Sequence, residues 1–302
     1  MNYNPYVCIQ TNSRCYKEEG SMVIRGVMWH STGASNTWIS RYVQPSEGAD
    51  NYEEALEKIG KNIYGNDWNH AQVDSEVNAF IGMFDDGTIG TVQTLPWNHK
   101  PWGCFHGSAG SCNNGWIQFE ICEDDLKDKE YASKVFEEGC RLTAFLCRKF
   151  GLNPNGYAIL EGVRVPVITC HNDAAKLGLA GNHADINHWF PKLLGKDMND
   201  VRKRVTEMLK ENKETYDEYV SKLPGRGYFL KGDGYKSNID MKEQIKHIQR
   251  FLSWALGVSI SISGKYGDTT ENAVKSFQKA AGIAVDGSWG KDTLAASRTF
   301  IK

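Results

Sequence analysis

The sequence predicts an α/β domain with a mixed central sheet flanked by helices, followed by a small three-helix domain at the C-terminal end. Three observations carry this expectation. Short apolar strands and amphipathic helical stripes are interspersed along residues 20–212 without the strict alternation of an all-parallel fold. A polar stretch rich in Gly and Lys, 211–237, then interrupts the pattern. Beyond it the chain repeats itself at an offset of 23 residues, aligning GKYGDTTENAVKSF (264–277) with GSWGKDTLAASRTF (287–300).

The elements follow in order. MVIRGVMWH (22–30) and VNAFIGMF (77–84) alternate as strands, and DDGTIGTVQTL (85–95) opens with a turn and continues as the second arm of a hairpin. WIQFEIC (116–122) sets Trp116, Gln118 and Glu120 on one face against Ile117, Phe119 and Ile121. VPVITCH (165–171) is a further short strand. Helical stripes run through Ala55, Ile59 and Ile63, through Val135, Gly139, Leu142 and Leu146, and through Val201, Val205 and Leu209. In the tail, Ile245, Ile248, Leu252 and Leu256 mark one helix, and each repeat copy reads as a glycine turn, an aromatic and a Thr-led helix start. The expected division is a first domain over 1–212, a linker over 213–227 and the helical domain over 228–302.

Composition narrows the function classes. With 40% hydrophobic and 11% aromatic residues the chain can build a substantial core, which excludes wholesale disorder. No run of about 18 apolar residues occurs, so no membrane-spanning helix is expected. The start, MNYNPYVCIQTNSRCYKEEG, lacks the basic and apolar regions of a secretory signal, which suggests synthesis in the cytoplasm. The 8 cysteines all precede residue 171, form no CxxC pair, and sit largely at apolar positions. Reduced, buried thiols are expected, with a Cys104–Cys112 bridge as the alternative. Net charge is −2, but residues 224–302 carry 12 Lys and Arg against 7 Asp and Glu, which suits either an anionic partner surface or a solvated face.

The chemistry gathers at histidine. HNDAAKLGLAGNHADINHWFPK (171–192) holds three of the 8 histidines. A catalytic zinc takes three protein ligands and keeps a fourth position open. His30 and His171, each at the end of a predicted strand, are candidates for two ligands, with the third from the loop after His171. Other residues read as bystanders: His70 and His99 as surface, and Asp173, two residues after His171, as a loop or cap residue. Trp38, Tyr42, Trp97 and Trp102 suit either stacking on a sugar or peptide or core packing.

Four motifs in order, VMWHSTG, FDDGTIGTVQ, WIQFEIC and CH…HADINHWFP, resemble the zinc-dependent N-acetylmuramoyl-L-alanine amidases of the type 2 family, which includes the peptidoglycan-recognition proteins and phage endolysins. The resemblance covers about residues 20–212. The tail repeat resembles the three-helix peptidoglycan-binding domain attached to many wall hydrolases. The resemblance implies Zn2+ held by His30, His171 and Asp185, with Glu120 as the acid–base carboxylate. It implies for His183 the place of the family's basic residue, commonly Lys, two positions before the third ligand. His188 is expected to support Asp185 from behind, and His106 and Trp102 to line the groove. The implied reaction is hydrolysis of the bond between N-acetylmuramic acid and L-alanine, with wall peptidoglycan as partner and neither nucleic acid nor membrane. An endolysin of this kind would reach the wall through a phage holin-type pore. Two alternatives accompany it: a non-catalytic peptidoglycan binder, and an amidase of cytoplasmic muropeptide recycling.

Overall fold

The computed structural model describes residues 3–18, 20–217, 223–236, 239–256 and 260–300. The chain divides into two compact units, one comprising Pro5–Cys147 and Leu152–Thr206, the other Met1–Asn4, Arg148–Gly151 and Glu207–Lys302. Part of the expected linker, 218–222, lies outside the described residues.

The larger unit is built on a six-stranded sheet. Its strands are β1 (Tyr6–Val7), β2 (Gly26–Ser35), β3 (Ala79–Met83), β4 (Ile89–Gln93), β5 (Trp116–Glu123) and β8 (Ile168–Cys170), and a separate hairpin pairs β6 (Tyr157–Leu160) with β7 (Val163–Pro166). The sheet order is β1-β4-β3-β5-β2-β8. Only the β3–β4 hairpin is antiparallel, so the sheet is mixed, as expected. All eight residues of β5 are buried, because both faces of this central strand are covered. On one face Trp29 and Phe119 meet at 5.1 Å and Phe136 of the long helix α3 (Lys129–Phe150) packs on Trp29 at 6.0 Å. The indole N–H of Trp29 also donates to Thr143 Oγ1 at 3.0 Å, which fixes the strand against the helix. The opposite face carries Met28, Trp116, Cys104, Cys112 and Leu179 in a second apolar cluster.

Several boundaries differ from those expected. Helix α2 spans Tyr52–Ile59 and stops at Gly60, whose φ of +90° and close approach to Asp85 exclude a helical continuation; Ile63 is therefore exposed rather than on the core stripe. The run VPVITCH belongs to two strands, β7 ending at Pro166 and β8 beginning at Ile168, and His171 opens helix α4 (His171–Lys176). After α4 come a 3-10 turn (Asp185–His188), α5 (Phe190–Leu194) and α6 (Met198–Asp217), in which Met208, rather than Leu209, is buried with Val201 and Val205.

The helical tail contains α7 (Ile239–Leu256), α8 (Asp268–Ala280) and α9 (Lys291–Phe300) around Ile245, Ile248, Leu252, Tyr266, Phe277 and Trp289. The sequence repeat is a structural repeat. Gln249 accepts from Gly264 N–H and donates to Lys265 O and Thr270 Oγ1; Gln278 accepts from Gly287 N–H and donates to Ser288 O and Thr293 Oγ1. One buried glutamine per copy thus pins the glycine turn to the helix start that follows it.

Candidate metal centre and active site

Strand register assembles the site. In the parallel pairing of β2 with β5, His30 lies opposite Glu120, so both side chains leave the same face of the sheet. On the other side of β2, Trp29 pairs with Cys170, which brings His171, the next residue of the chain, beside His30. Asp185 enters from the 3-10 turn and is buried. Its φ is +43°, a left-handed conformation that Asp tolerates better than most residues and that the surrounding structure must impose.

His30 Nδ1, His171 Nδ1 and Asp185 Oδ2 form a closed triangle. The nitrogens are 3.1 Å apart, and the carboxylate oxygen is 3.5 Å from His30 and 3.0 Å from His171. Atoms about 2.0–2.2 Å from a tetrahedral zinc stand roughly 3.3–3.6 Å from one another; one edge matches and the other two need open by only a few tenths of an ångström to share a cation. The chemistry of the donors agrees. Two imidazoles and one buried carboxylate converge as a compact nitrogen–nitrogen–oxygen donor set of the kind that holds zinc, and Asp185 Oδ2 is buried without a hydrogen-bond partner. The residues present therefore fit zinc.

Burial raises the Asp185 carboxyl, but the two imidazoles outweigh it and hold it below the ordinary range, keeping it anionic. Burial likewise pulls His171 down, towards the neutral form that ligates metal, against the pull of Asp185. Glu120, only 8% exposed, is pushed well above the usual carboxylate range, first by burial and then by the charges of Asp185 and Glu123. A carboxyl beside the triangle is placed to take a proton from a water held there and to release it again.

The remaining candidates are distributed as follows. His183 is exposed, and its ring stacks on that of His171 at 4.8 Å and 17°, at the mouth of the site. His188 has a partner other than the one expected. Its Nε2 lies 3.2 Å from Glu123 Oε1, at the end of β5, and so it braces the strand of Glu120 and not the carboxylate of Asp185. His106 is exposed, with Nδ1 2.6 Å from the Gly107 carbonyl. Trp102 is half-buried and its backbone N–H donates to Glu76 O; neither contact joins it or His106 to the ligand triangle. Tyr42 stacks on Phe80 and Trp97 packs on Phe145, so both are core residues, whereas Trp38 remains 41% exposed. His70 is exposed, as expected, and pairs with Asp67, while His99 is half-buried and stacks on Tyr16. Asp173 lies in the first turn of α4 and pairs with Lys176.

The 8 cysteines are unbridged and buried. The Cys104 thiol lies 3.0 Å from Asn113 Oδ1, which also accepts from Gln118 Nε2 at 2.8 Å, beneath Glu120 on the same strand face. Burial pushes Cys8, Cys15 and Cys170 up to about 12, which removes them as nucleophiles. Two residues escaped the sequence reading: Glu123, the partner of His188, and Phe105, which stacks on His183 at 6.0 Å. Glu123 continues the strand WIQFEIC by one residue and was within reach of its pattern; nothing local marks Phe105.

The N-acetylmuramoyl-L-alanine amidase family profile matches residues 20–188, and a peptidoglycan binding domain profile matches residues 241–296. The N-acetylmuramoyl-L-alanine amidase CwlL of Bacillus licheniformis is 28% identical over 188 residues, 61% of this chain and 44% of that protein. The chain thus spans less than half the length of this curated relative. Among solved structures, the Staphylococcus aureus hydrolase AmiA in complex with its ligand aligns with a TM-score of 0.46 and 16% identity, over 70% of this chain and 87% of that one. The catalytic domain of XlyA aligns with a TM-score of 0.41 and 16% identity, over 67% and 99%. With more than half its length matched by the family profile, the chain belongs to the N-acetylmuramoyl-L-alanine amidase family.

Proposed function

We propose that the chain hydrolyses the amide between the lactyl group of N-acetylmuramic acid and L-alanine in peptidoglycan, with zinc held by His30, His171 and Asp185. The observation that carries this reading is the register of β2 and β5, which sets the buried carboxyl of Glu120 directly beside the first ligand of the triangle. Bound there, zinc would polarise the scissile carbonyl and ease deprotonation of the attacking water. Glu120 takes the water proton and passes it to the departing amine of L-alanine. His183, at the mouth, donates a hydrogen bond to the developing oxyanion. No cysteine serves as nucleophile in this reading, since the thiols are buried.

We further assign residues 1–212 to the hydrolase, 213–227 to a linker and 228–302 to wall binding, a division supported by the two matched profiles. Purified walls test the reading. Digestion should release new amino termini while leaving glycan strands intact, a chelator should stop it, and added zinc should restore it. Glu120→Gln should lower turnover by about 10²–10⁴-fold with zinc content unchanged. Walls bound without any release of amines would make the chain a peptidoglycan receptor instead.

A further inference from the structure

Phe105 combines features that the core does not explain. It is 54% exposed, and its φ is +56°, a left-handed conformation that a bulky side chain rarely adopts. The backbone on both sides of it is stitched in place. Cys104 O accepts from Gly181 N–H at 2.9 Å, Cys104 N–H donates to Asn113 Oδ1 at 3.2 Å, and the Ser111 hydroxyl donates to Phe105 O. Further along, Gly107 N–H donates to Gly110 O at 2.8 Å and Ala109 N–H to Gly178 O at 2.7 Å. Gly181 also presents no side chain towards Phe105, where a Cβ would stand 3.4 Å from its ring and Cβ.

So constrained a loop holds its aromatic ring out of the core and against His183, at 6.0 Å and 26°. His183 stacks in turn on the ligand His171, so three rings run in a row from the exposed rim to the triangle. Among the described residues no side-chain hydrogen bond reaches the His183 imidazole. An exposed side chain without one is free to change rotamer, and its ring contacts are what restrict it.

We propose that Phe105 is the positioning residue for His183, holding its imidazole over the reacting carbonyl; the inference rests on the reading of His183 as the oxyanion donor. Left-handed strain, the loop's hydrogen bonds and the ring stack then serve one end, keeping the donor aimed before substrate arrives.

Kinetics of the full-length, zinc-loaded protein on a soluble muramoyl-peptide test this. Phe105→Gly removes the ring and relieves the left-handed backbone, so it is a ring deletion that the fold should tolerate. It is expected to lower kcat about tenfold while KM changes by less than about twofold, and Phe105→Tyr should restore kcat. In the His183→Ala background, Phe105→Gly should add almost nothing, because both act through one group. A second readout needs no activity. In zinc-free protein with labelled histidine, the His183 ring protons should be shifted upfield by the adjacent Phe105 ring, a shift lost in Phe105→Gly and kept in Phe105→Tyr. Additive losses in the double variant, a loss carried by KM, or His183 resonances unmoved by Phe105→Gly would each overturn the proposal. If His183→Ala leaves kcat at the wild-type value, the oxyanion role itself falls. If His183→Ala lowers kcat and Phe105→Gly does not, only the role of Phe105 falls.

Discussion

Asp185 shows at the level of one residue how much of the site is written locally and how much is imposed. Its place in DINHWFP, downstream of a strand-ending histidine, was legible as a motif. Its left-handed φ and its burial against two imidazoles come from the turn and the sheet end that enclose it. The same contrast separates Glu120, readable from strand alternation, from Phe105, whose function depends on a loop stitched to residues more than 70 positions away. His188 marks the limit of reading by proximity. It is three residues from Asp185 in sequence, yet the tight turn delivers it to Glu123. A separate titration argument belongs at this scale. Glu76 is fully buried, with Oε1 accepting from Val77 N–H, and burial raises its carboxyl well above the ordinary value. In the unfolded chain it ionises near the usual 4.3 or so. The folded state therefore holds its proton to higher pH, so stability is full below that value and declines as pH rises towards the raised folded one. Glu76→Gln abolishes this slope. The melting temperature of Glu76→Gln minus that of the wild type should grow more positive from pH 5 to pH 8. A difference that stays flat across this range would show that Glu76 ionises normally in the fold.

At the level of elements, hydrophobic period located the strands and helices better than it located their ends. β5 is legible because Trp116, Gln118 and Glu120 alternate with Ile117, Phe119 and Ile121; Phe119 packs with Trp29 under α3, and Trp116 joins the Cys104 cluster on the other face. The hairpin of β6 and β7 was missed since Tyr157 and Ile159 are exposed, which leaves no core-facing period to read. Helix ends depended on single backbone positions such as Gly60, which a stripe of apolar residues cannot reveal. Gly139, read from the sequence as part of the α3 stripe, has a stronger requirement than its helix suggests. A Cβ there would stand 2.6 Å from Trp29, the neighbour of His30 in β2. Helix propensity alone would favour Gly139→Ala by about 1 kcal/mol. The clash with a fully buried indole opposes it, and overpacking of this kind costs about 1–3 kcal/mol. The variant should thus unfold at lower denaturant concentration than the wild type. A midpoint at or above wild type would mean that the strand–helix contact relaxes without strain.

Across the whole molecule, charge and repeat set the two units apart before any contact is considered. Residues 224–302 carry an excess of cationic side chains, while the rest of the chain is acidic on balance. Gln249 and Gln278, which close the two glycine turns, make the tail a self-consistent helical fold with its own apolar core. Among the described residues no helix is long and apolar enough to cross a membrane, and the peptidoglycan binding domain profile marks the tail as a candidate wall-binding surface. If the tail is that surface, its removal separates two properties. A chain ending at residue 224 should bind purified walls at least about tenfold more weakly, while its turnover of a soluble muramoyl-peptide stays within about twofold of the full chain. The salt dependence distinguishes the source of binding. Attraction between a cationic tail and an anionic polymer weakens as ionic strength rises and the Debye length falls from about 10 Å at 0.1 M to about 3 Å at 1 M. Saccharide stacking and hydrogen bonding would instead leave wall binding nearly constant over that range. Co-sedimentation of full-length and shortened chains with walls, at both salt concentrations, reads the two effects together. Equal sedimentation of the two chains would remove the tail from wall recognition altogether and return its basic excess to a solvated face.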